Sequence, residues 1–339
     1  MYNAEFEVEA LTPIFMHGAN KIGAELRAAS IKGIMRWWFR ALAGNYFGDE
    51  IEDVRKAENY VFGSTGGRSR VVVDVCPTKF PLDKRPVPMV WKRGNGRLQL
   101  QAIPENTSFW ISLQSHDELA IKLACISTWA MIVLGGIGGR HTRGAGSLKI
   151  KNDIKIPENF NLDLNFSFND LPKELPSEID KAIDKTTTDL LPKLSQKLGL
   201  KQGHKNGNAC LRYSALTQKC AHVYLWEKDA NGIYYKSNNF SSPQSLMDKF
   251  ENVFKNPENS RLRYEDPVFG LPKGDPQKRR ISPMHVGAIK TKEGDTFLKI
   301  VVFRTSEFHP EPEIKVNWDV IYTFLEKELR AKKIWKVLK

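Results

Sequence analysis

Residues 134–149 read Leu-Gly-Gly-Ile-Gly-Gly-Arg-His-Thr-Arg-Gly-Ala-Gly-Ser-Leu-Lys, a glycine-rich stretch with two arginines and a histidine inside it. Gly135, Gly136, Gly138, Gly139, Gly144 and Gly146 allow backbone angles closed to other residues and let main-chain N–H groups approach an anion. Arg140 and Arg143 add charge, so the stretch predicts a grip on a phosphate backbone. It follows an apolar run over 121–134 that suits a buried helix and precedes a short strand over 147–151. Mononucleotide and dinucleotide loops run strand, loop, helix instead, which argues against both. The same stretch also reads as a helix-to-strand connection whose glycines serve geometry alone, although such connections are usually two to six residues long.

Lys32, Arg36 and Arg40 recur every fourth residue and fall within an arc of about 80° on a helix. Ile31, Ile34, Met35, Trp38 and Leu42 cover the other side. One face packs; the other meets phosphate or stands solvated, and exposed cations there would add little to stability. Trp37 lies between the faces, where it could stack a base, worth about 1–3 kcal/mol, or fill a core or subunit interface. Arg279 and Arg280 follow Gly274, Asp275 and Pro276 on a turn. Their planar guanidinium groups suit phosphate, base edges or a neighbouring subunit. Lys193, Lys197, Lys201 and Lys205 also recur every four residues, but Gly199 and Gly203 weaken that helix and favour a solvated lysine face. His17 and His141 sit in the two candidate binding loops, where each could pass a proton to a leaving group or simply hydrogen-bond phosphate or backbone.

The chain of 339 residues carries a net charge of +12, which favours polyanionic partners. No acidic residue occurs between Asp189 and Glu227, whereas Arg212, Lys219 and the four lysines fall there. Cys76, Cys125, Cys210 and Cys220 are scattered with no C-x-x-C pair, which argues against a zinc site or a disulfide framework. No acidic cluster suggests a two-metal nuclease, so neither a metal nor a cofactor is expected. The first residues lack the pattern of a secretory signal, and no apolar run reaches the length of a membrane span. A soluble cytoplasmic protein is expected.

These groups need elements to position them. Ala4–Leu11 alternates as a strand. Ser30 is a helix N-cap, with the helix running to about Ala43 and stopping at Gly44 and Asn45. A short helix before 61–64, strands over 70–75 and 108–114, a proline-rich insertion over 77–97, a helix over 117–134 and the strand after the glycine loop complete a β-α-β-β-α-β order. That order is ferredoxin-like, as in RNA-recognition domains. The second half echoes it, with strands over 162–168, 210–226 and 296–304, a basic helix over 190–200, a helix over 245–254 and an amphipathic helix over 317–336. The expected architecture is α+β: two packed ferredoxin-like domains, 1–155 and 156–339.

Three motifs carry a resemblance. They are Leu11-Thr12-Pro13-Ile14-Phe15-Met16-His17-Gly18 with Ser30-Ile31-Lys32-Gly33-Ile34-Met35-Arg36-Trp37-Trp38-Phe39-Arg40, the glycine loop, and Phe269-Gly270-Leu271-Pro272 with Arg279-Arg280-Ile281-Ser282-Pro283-Met284-His285. Together they resemble the RAMP superfamily of CRISPR-associated RNA-binding proteins, and within it the family of first subunits of type III-B Cmr complexes. The resemblance spans most of the chain. It implies paired ferredoxin-like domains, single-stranded guide or target RNA and other Cmr subunits as partners, and a non-catalytic role in an antiviral ribonucleoprotein. Some relatives in the superfamily cleave RNA without metal, using histidine, so processing of guide RNA is the alternative. Neither the 77–97 insertion nor the 170–206 segment shares in the resemblance.

Overall fold

β1 (Tyr2–Ala10) buries Ala4, Phe6, Val8 and Ala10 completely and turns Glu5, Glu7 and Glu9 to the other face. There they pair with Lys155, Lys151 and Lys149 of β6 (Leu148–Lys155) at 3.2, 3.8 and 2.9 Å. The computed structural model describes residues 1–18, 23–77, 80–86, 99–201, 210–226, 282–307 and 316–335. β2 (Val72–Cys76) and β5 (Ser108–Ser115) complete an antiparallel sheet of order β2-β5-β1-β6. β3 (Asp83–Pro86) and β4 (Gln99–Ala102) form a separate ribbon inserted between β2 and β5. α1 (Ala28–Phe47) and α2 (Ile51–Phe62) follow β1, and α3 (Glu118–Val133) follows β5. α3 is apolar all round because it is covered on all sides: it lies on the sheet and against α1. Asp117 caps it, accepting from the Ala120 N–H at 3.0 Å.

The chain then runs through α4 (Leu171–Asp184), a wide π-type turn over 185–190 and α5 (Leu191–Leu198), which ends at Gly199. β7 (Ala221–Trp226), β8 (Met284–Lys290), β9 (Thr296–Phe303) and β10 (Lys332–Trp335) make a second antiparallel sheet of order β10-β7-β9-β8. Numbered within its own half, each sheet has the order 4-1-3-2. One face of the second sheet, with Val223, Leu225, Val301 and Phe303, joins the core of the first. The opposite face, with Tyr224, Leu298, Ile300 and Val302, packs under α6 (Trp318–Thr323) and the turn after it. Both faces being covered, β7 and β9 are continuously apolar.

Several expectations are corrected. α1 begins two residues before Ser30 and runs through Gly44, which is a packing site and not a stop: a Cβ there would lie 2.7 Å from that of Ala215. No strand forms over 162–168. Asn161 and Asp163 adopt left-handed angles that break the extended run, and Phe160, Phe166 and Phe168 enter the first core irregularly. The strand expected over 210–226 is confined to its last six residues. The C-terminal helix ends early, because Arg330 at φ 54° redirects the chain into β10, the edge strand of the second sheet. The helix expected over 245–254 lies outside the described residues. Among them, no helix is long and apolar enough to cross a membrane.

Candidate nucleic-acid interface

The glycine loop is knitted to the loop after β1. Gly139 and Gly146 donate their N–H groups to the carbonyls of Phe15 and Pro13, Ile137 donates to Gly146, and Gly135 donates to Ala130. The buried Thr12 hydroxyl donates to the Gly144 carbonyl at 2.8 Å and accepts from the Ser147 N–H at 2.9 Å. Gly146, at φ 64°, is obligatory, since a Cβ there would lie 1.8 Å from the Ile137 carbonyl oxygen. The amides of Gly135, Ile137, Gly139 and Gly146 are therefore engaged inside the fold and are not offered to an anion. The far side of the loop meets the second sheet: Ser147 Oγ accepts from the Ala288 N–H at 2.9 Å, and Val286 N–H donates to Thr142 at 3.1 Å. Lys299 of β9, 1% exposed, extends its ammonium to the last carbonyls of α3, 2.5 Å from Val133 and 3.4 Å from Ile132. Burial lowers its pKa to about 7, and a cation at a helix C-terminus is well placed to meet the helix dipole.

On α1 the basic stripe divides. Glu58 of α2 is buried, 4% exposed, and holds both arginines: Arg36 Nε donates to one carboxylate oxygen and Arg40 Nη1 to the other, the latter at 2.8 Å. Arg36 also donates to the Gly63 carbonyl at 3.0 Å and to Asn59 Oδ1 at 3.4 Å. It bridges α1, α2 and the turn beyond, so Arg36 is half-buried and engaged rather than one of the exposed cations expected to add little to stability. Lys32 is half-buried, and burial followed by the Arg36 charge lowers its pKa.

A cleft of about 510 Å³ opens where α1, the glycine loop and the second sheet converge. Trp37, Arg40, His141, Arg212, Tyr213, Ser282, His285 and Phe303 line it. The Trp37 ring lies 4.6 Å from His285 at a 30° tilt and 5.1 Å from Phe303 edge-on. His141 donates its Nδ1–H to the Gly138 carbonyl at 2.8 Å, which leaves Nε2 as the acceptor of the neutral ring. His285 Nδ1 is buried with no hydrogen-bond partner, and burial followed by nearby His141 lowers its pKa to about 3. Burial also lowers the His141 pKa. A second cleft, about 620 Å³, lies against Arg36, Arg55, Glu58 and Ser64. Arg40 and Tyr213 line both, so the two clefts adjoin there, and together they are called the groove. Its wall, residues 211–216, is held to α1 by Leu216 N–H to the Ala41 carbonyl at 2.7 Å and Tyr213 hydroxyl to the Gly48 carbonyl at 2.7 Å.

The fold thus brings Trp37, Arg40 and His141 to one cleft, with Arg36 beside the second. Arg143 is backed against β8 through its bridge to Val286, and burial with the Arg140 charge lowers its pKa to about 10, still charged at neutral pH. Arg140 is half-buried in a left-handed conformation, and neither it, Arg143 nor Lys32 is a lining residue of the groove. Arg279 and Arg280 lie outside the described residues. His17 donates to the Gln101 carbonyl at 3.0 Å, and Lys197 pairs with Asp117 at 3.0 Å. Sequence reading missed Arg212, Tyr213, Ser282 and His285; the last two stand in the third motif, which could have flagged them. Among the described residues, no three of His, Cys, Asp and Glu are grouped so as to hold a metal ion.

The first half of this molecule is of a known class: residues 7–149 match the RAMP superfamily. Residues 218–336 match the Cmr1 C-terminal domain. Over its length the chain is similar to the CRISPR system Cmr subunit Cmr1-1 of Pyrococcus furiosus, 31% identical over 371 residues, covering 99% of this chain and 98% of the relative. The chain therefore belongs to the Cmr1 family. Cmr subunit Cmr1-2 of the same organism is 41% identical over 180 residues, 44% of this chain and 96% of that relative. The crystal structure of Cmr1 from P. furiosus in its apo form superposes with a TM-score of 0.68 at 28% identity, covering 100% of both chains. A chain of the type III-B Cmr-beta complex bound to cognate target RNA shares the fold at a TM-score of 0.56 and 16% identity, covering 97% of this chain and 99% of that one.

Proposed function

We propose that this chain is a non-catalytic, RNA-binding subunit of a type III-B Cmr effector complex, engaging single-stranded guide or target RNA in antiviral defence. The groove carries the reading. A single strand without sequence preference is bound by a cationic track with rings for its bases, and Arg40, Arg212 and Trp37 supply both along one continuous wall. The relative named as a Cmr subunit supports assembly with other Cmr subunits. The common 4-1-3-2 strand order supports two ferredoxin-like halves divided near residue 155.

The histidines favour recognition over cleavage. General acid–base catalysis works best with a pKa near the operating pH, and burial holds both His141 and His285 below their ordinary range. Incubating the full chain with labelled single-stranded RNA in chelator, and scoring binding and cleavage together, tests this. Binding without cleavage is expected, with log affinity falling against log salt by about 0.7 per phosphate neutralised. A flat salt titration overturns the electrostatic reading in favour of a subunit that touches only protein. Metal-independent cleavage that His141→Ala abolishes while binding persists makes the chain a guide-processing RAMP endoribonuclease.

A further inference from the structure

Cys210 and Cys220 stand at the two ends of the segment that walls the groove, and their side chains meet. The Cys210 thiol donates to the carbonyl oxygen of Lys219, the residue before Cys220, at 3.6 Å, which brings its sulfur beside the Cys220 thiol. Both are free. Cys220 is buried, 1% exposed, whereas Cys210 is half-buried and within reach of a reagent. The backbone at Cys220 is fixed from two sides: its N–H donates to the Thr217 carbonyl at 3.1 Å, and its carbonyl accepts from Arg304 at 2.6 Å. The neighbouring Cys210, then hydrogen bonds from Thr217 and the Leu211 backbone, hold the Cys220 thiol below its ordinary range, while the same neighbour and burial push the Cys210 thiol up. The other two cysteines differ. Cys125 is buried in α3, where desolvation pushes its thiol up, and Cys76 is exposed on β2.

We propose that Cys210 and Cys220 form a redox-active dithiol that closes to a disulfide by exchange with low-molecular-weight disulfides, stapling together the two ends of the groove wall. In the first step the Cys210 sulfur, as thiolate, attacks one sulfur of a disulfide RSSR. The RS–SR bond breaks, the Cys210–SR bond forms, and RS⁻ leaves to take up the proton that Cys210 gave up. The Cys220 thiolate then attacks the Cys210 sulfur, the Cys210–SR bond breaks, and the second RS⁻ leaves with the proton of Cys220. Two electrons pass from the dithiol to RSSR, so dithiol and RSSR become protein disulfide and two RSH. The half-buried Cys210 must shed its proton for the first attack, whereas Cys220 is already held towards the thiolate for the second, and this neighbouring sulfur makes the mixed disulfide short-lived. In a reducing compartment such a bond forms transiently, as a sensor does. Once closed, it ties Leu211, Arg212 and Tyr213, which pack on the C-terminal end of α1, to the start of β7.

The test uses the full, reduced chain, equilibrated with mixtures of oxidised and reduced glutathione, alkylated and mapped by mass spectrometry without reduction. The expected product is a Cys210–Cys220 cross-link, two hydrogens lighter than the dithiol. It should raise the melting temperature by about 4 °C, as closing a loop of roughly ten residues in a chain of this size does. Cys210→Ser and Cys220→Ser should each abolish both changes, and Cys220→Ser should retain a mixed disulfide at Cys210. Cys210→Ala repeats the test if a serine variant fails to fold. A stable glutathione adduct on Cys210 of the unaltered chain, or a cross-link that forms only in denaturant, overturns the proposal. Neither readout involves RNA, so the outcome is independent of the binding assignment.

Discussion

Around Gly139 and Gly146 the main-chain amides face inward, onto the carbonyls of Phe15 and Pro13, and the side chains of Arg140, His141 and Arg143 are half-buried. On α1, one cleft wall away, the backbone is closed in its own helix and the charged side chains turn partly inward onto Glu58. Both regions look from their composition like places that hold phosphate, and in each a good part of the polar capacity is used by the fold. The glycines measure how closely the loop after β1, the second sheet and α3 approach one another. The α1 arginines show that a periodic basic stripe is not uniform, because a single buried carboxylate selects which cations it keeps. Arg36 becomes a tie between helices. Arg40 shares that carboxylate yet borders both clefts, and Trp37 beside it offers a ring.

If the glycine loop is built for packing, its most confined residue should matter most. Gly146→Ala must accommodate a Cβ against the Ile137 carbonyl at φ 64°, and a loss of more than about 4 kcal/mol is expected, read by urea or thermal denaturation. Gly33→Ala, on the open flank of α1 with nothing within 4 Å, is the control and should stabilise by about 0.5–1 kcal/mol. Equal, small effects would show that the loop is loose enough to reshape around a ligand. The next largest effect belongs to the carboxylate. Glu58→Ala leaves two arginines without their partner; since these are partly exposed and can turn to water, the cost is about 2 kcal/mol rather than the larger penalty of a fully buried pair. An unchanged melting temperature would return Arg36 to the solvated face.

The first half was legible where one face is wet. β1 alternates because Glu5, Glu7 and Glu9 meet lysines across the sheet, and the Asp117 cap marks the start of α3. The second half was harder because the second sheet is covered on both sides, so β7 and β9 lack the alternation that separates strand from buried helix. Gly44 misled because a helix stop and a close helix contact use the same residue. At the site, Trp37, Arg40 and His141 were readable from type and spacing. Arg212 and Tyr213 were not, since only the tertiary contact at Gly44 brings their segment to α1. Glu58 was unreadable as a partner for the same reason: nothing local ties it to residues 22 and 18 positions earlier.

Two buried histidines set a pH dependence, His285 in the cleft and His222 5.0 Å from Tyr322 on the other face of the second sheet. An unfolded histidine titrates near 6.5, whereas burial holds His285 near 3 and His222 near 4. Between those values the unfolded chain binds protons that the native state refuses, so stability is intact above about pH 6.5 and is lost as the pH falls through this window. His285→Phe keeps a ring against Trp37 and Phe303 and removes one titrating group. It should flatten the fall in melting temperature between pH 7 and 4, with a gain of about 1–2 kcal/mol over the unaltered chain at pH 5. An unchanged slope would mean that His285 is hydrated and the cleft is more open than its packing implies.

The smallest effect is also the sharpest discriminator, because it sets two residues of the same helix against each other. Arg36 has its guanidinium engaged by Glu58, Asn59 and the Gly63 carbonyl, whereas Arg40 gives one nitrogen to Glu58 and borders both clefts. If the groove holds an RNA backbone, Arg40→Ala removes one phosphate contact: the salt slope should fall by about 0.7 and affinity a few-fold, while Glu58 stays neutralised by Arg36 and melting changes little. Arg36→Ala should do the reverse, lowering the melting temperature because a buried carboxylate loses its closest partner, and leaving the salt slope as it was. Titrating single-stranded RNA across a salt series with both variants, alongside thermal melts, reads the two quantities separately. Equal loss of slope in both would mean that Arg36 leaves Glu58 when RNA binds, making the ion triad a store of cations for the ligand instead of a fixed brace.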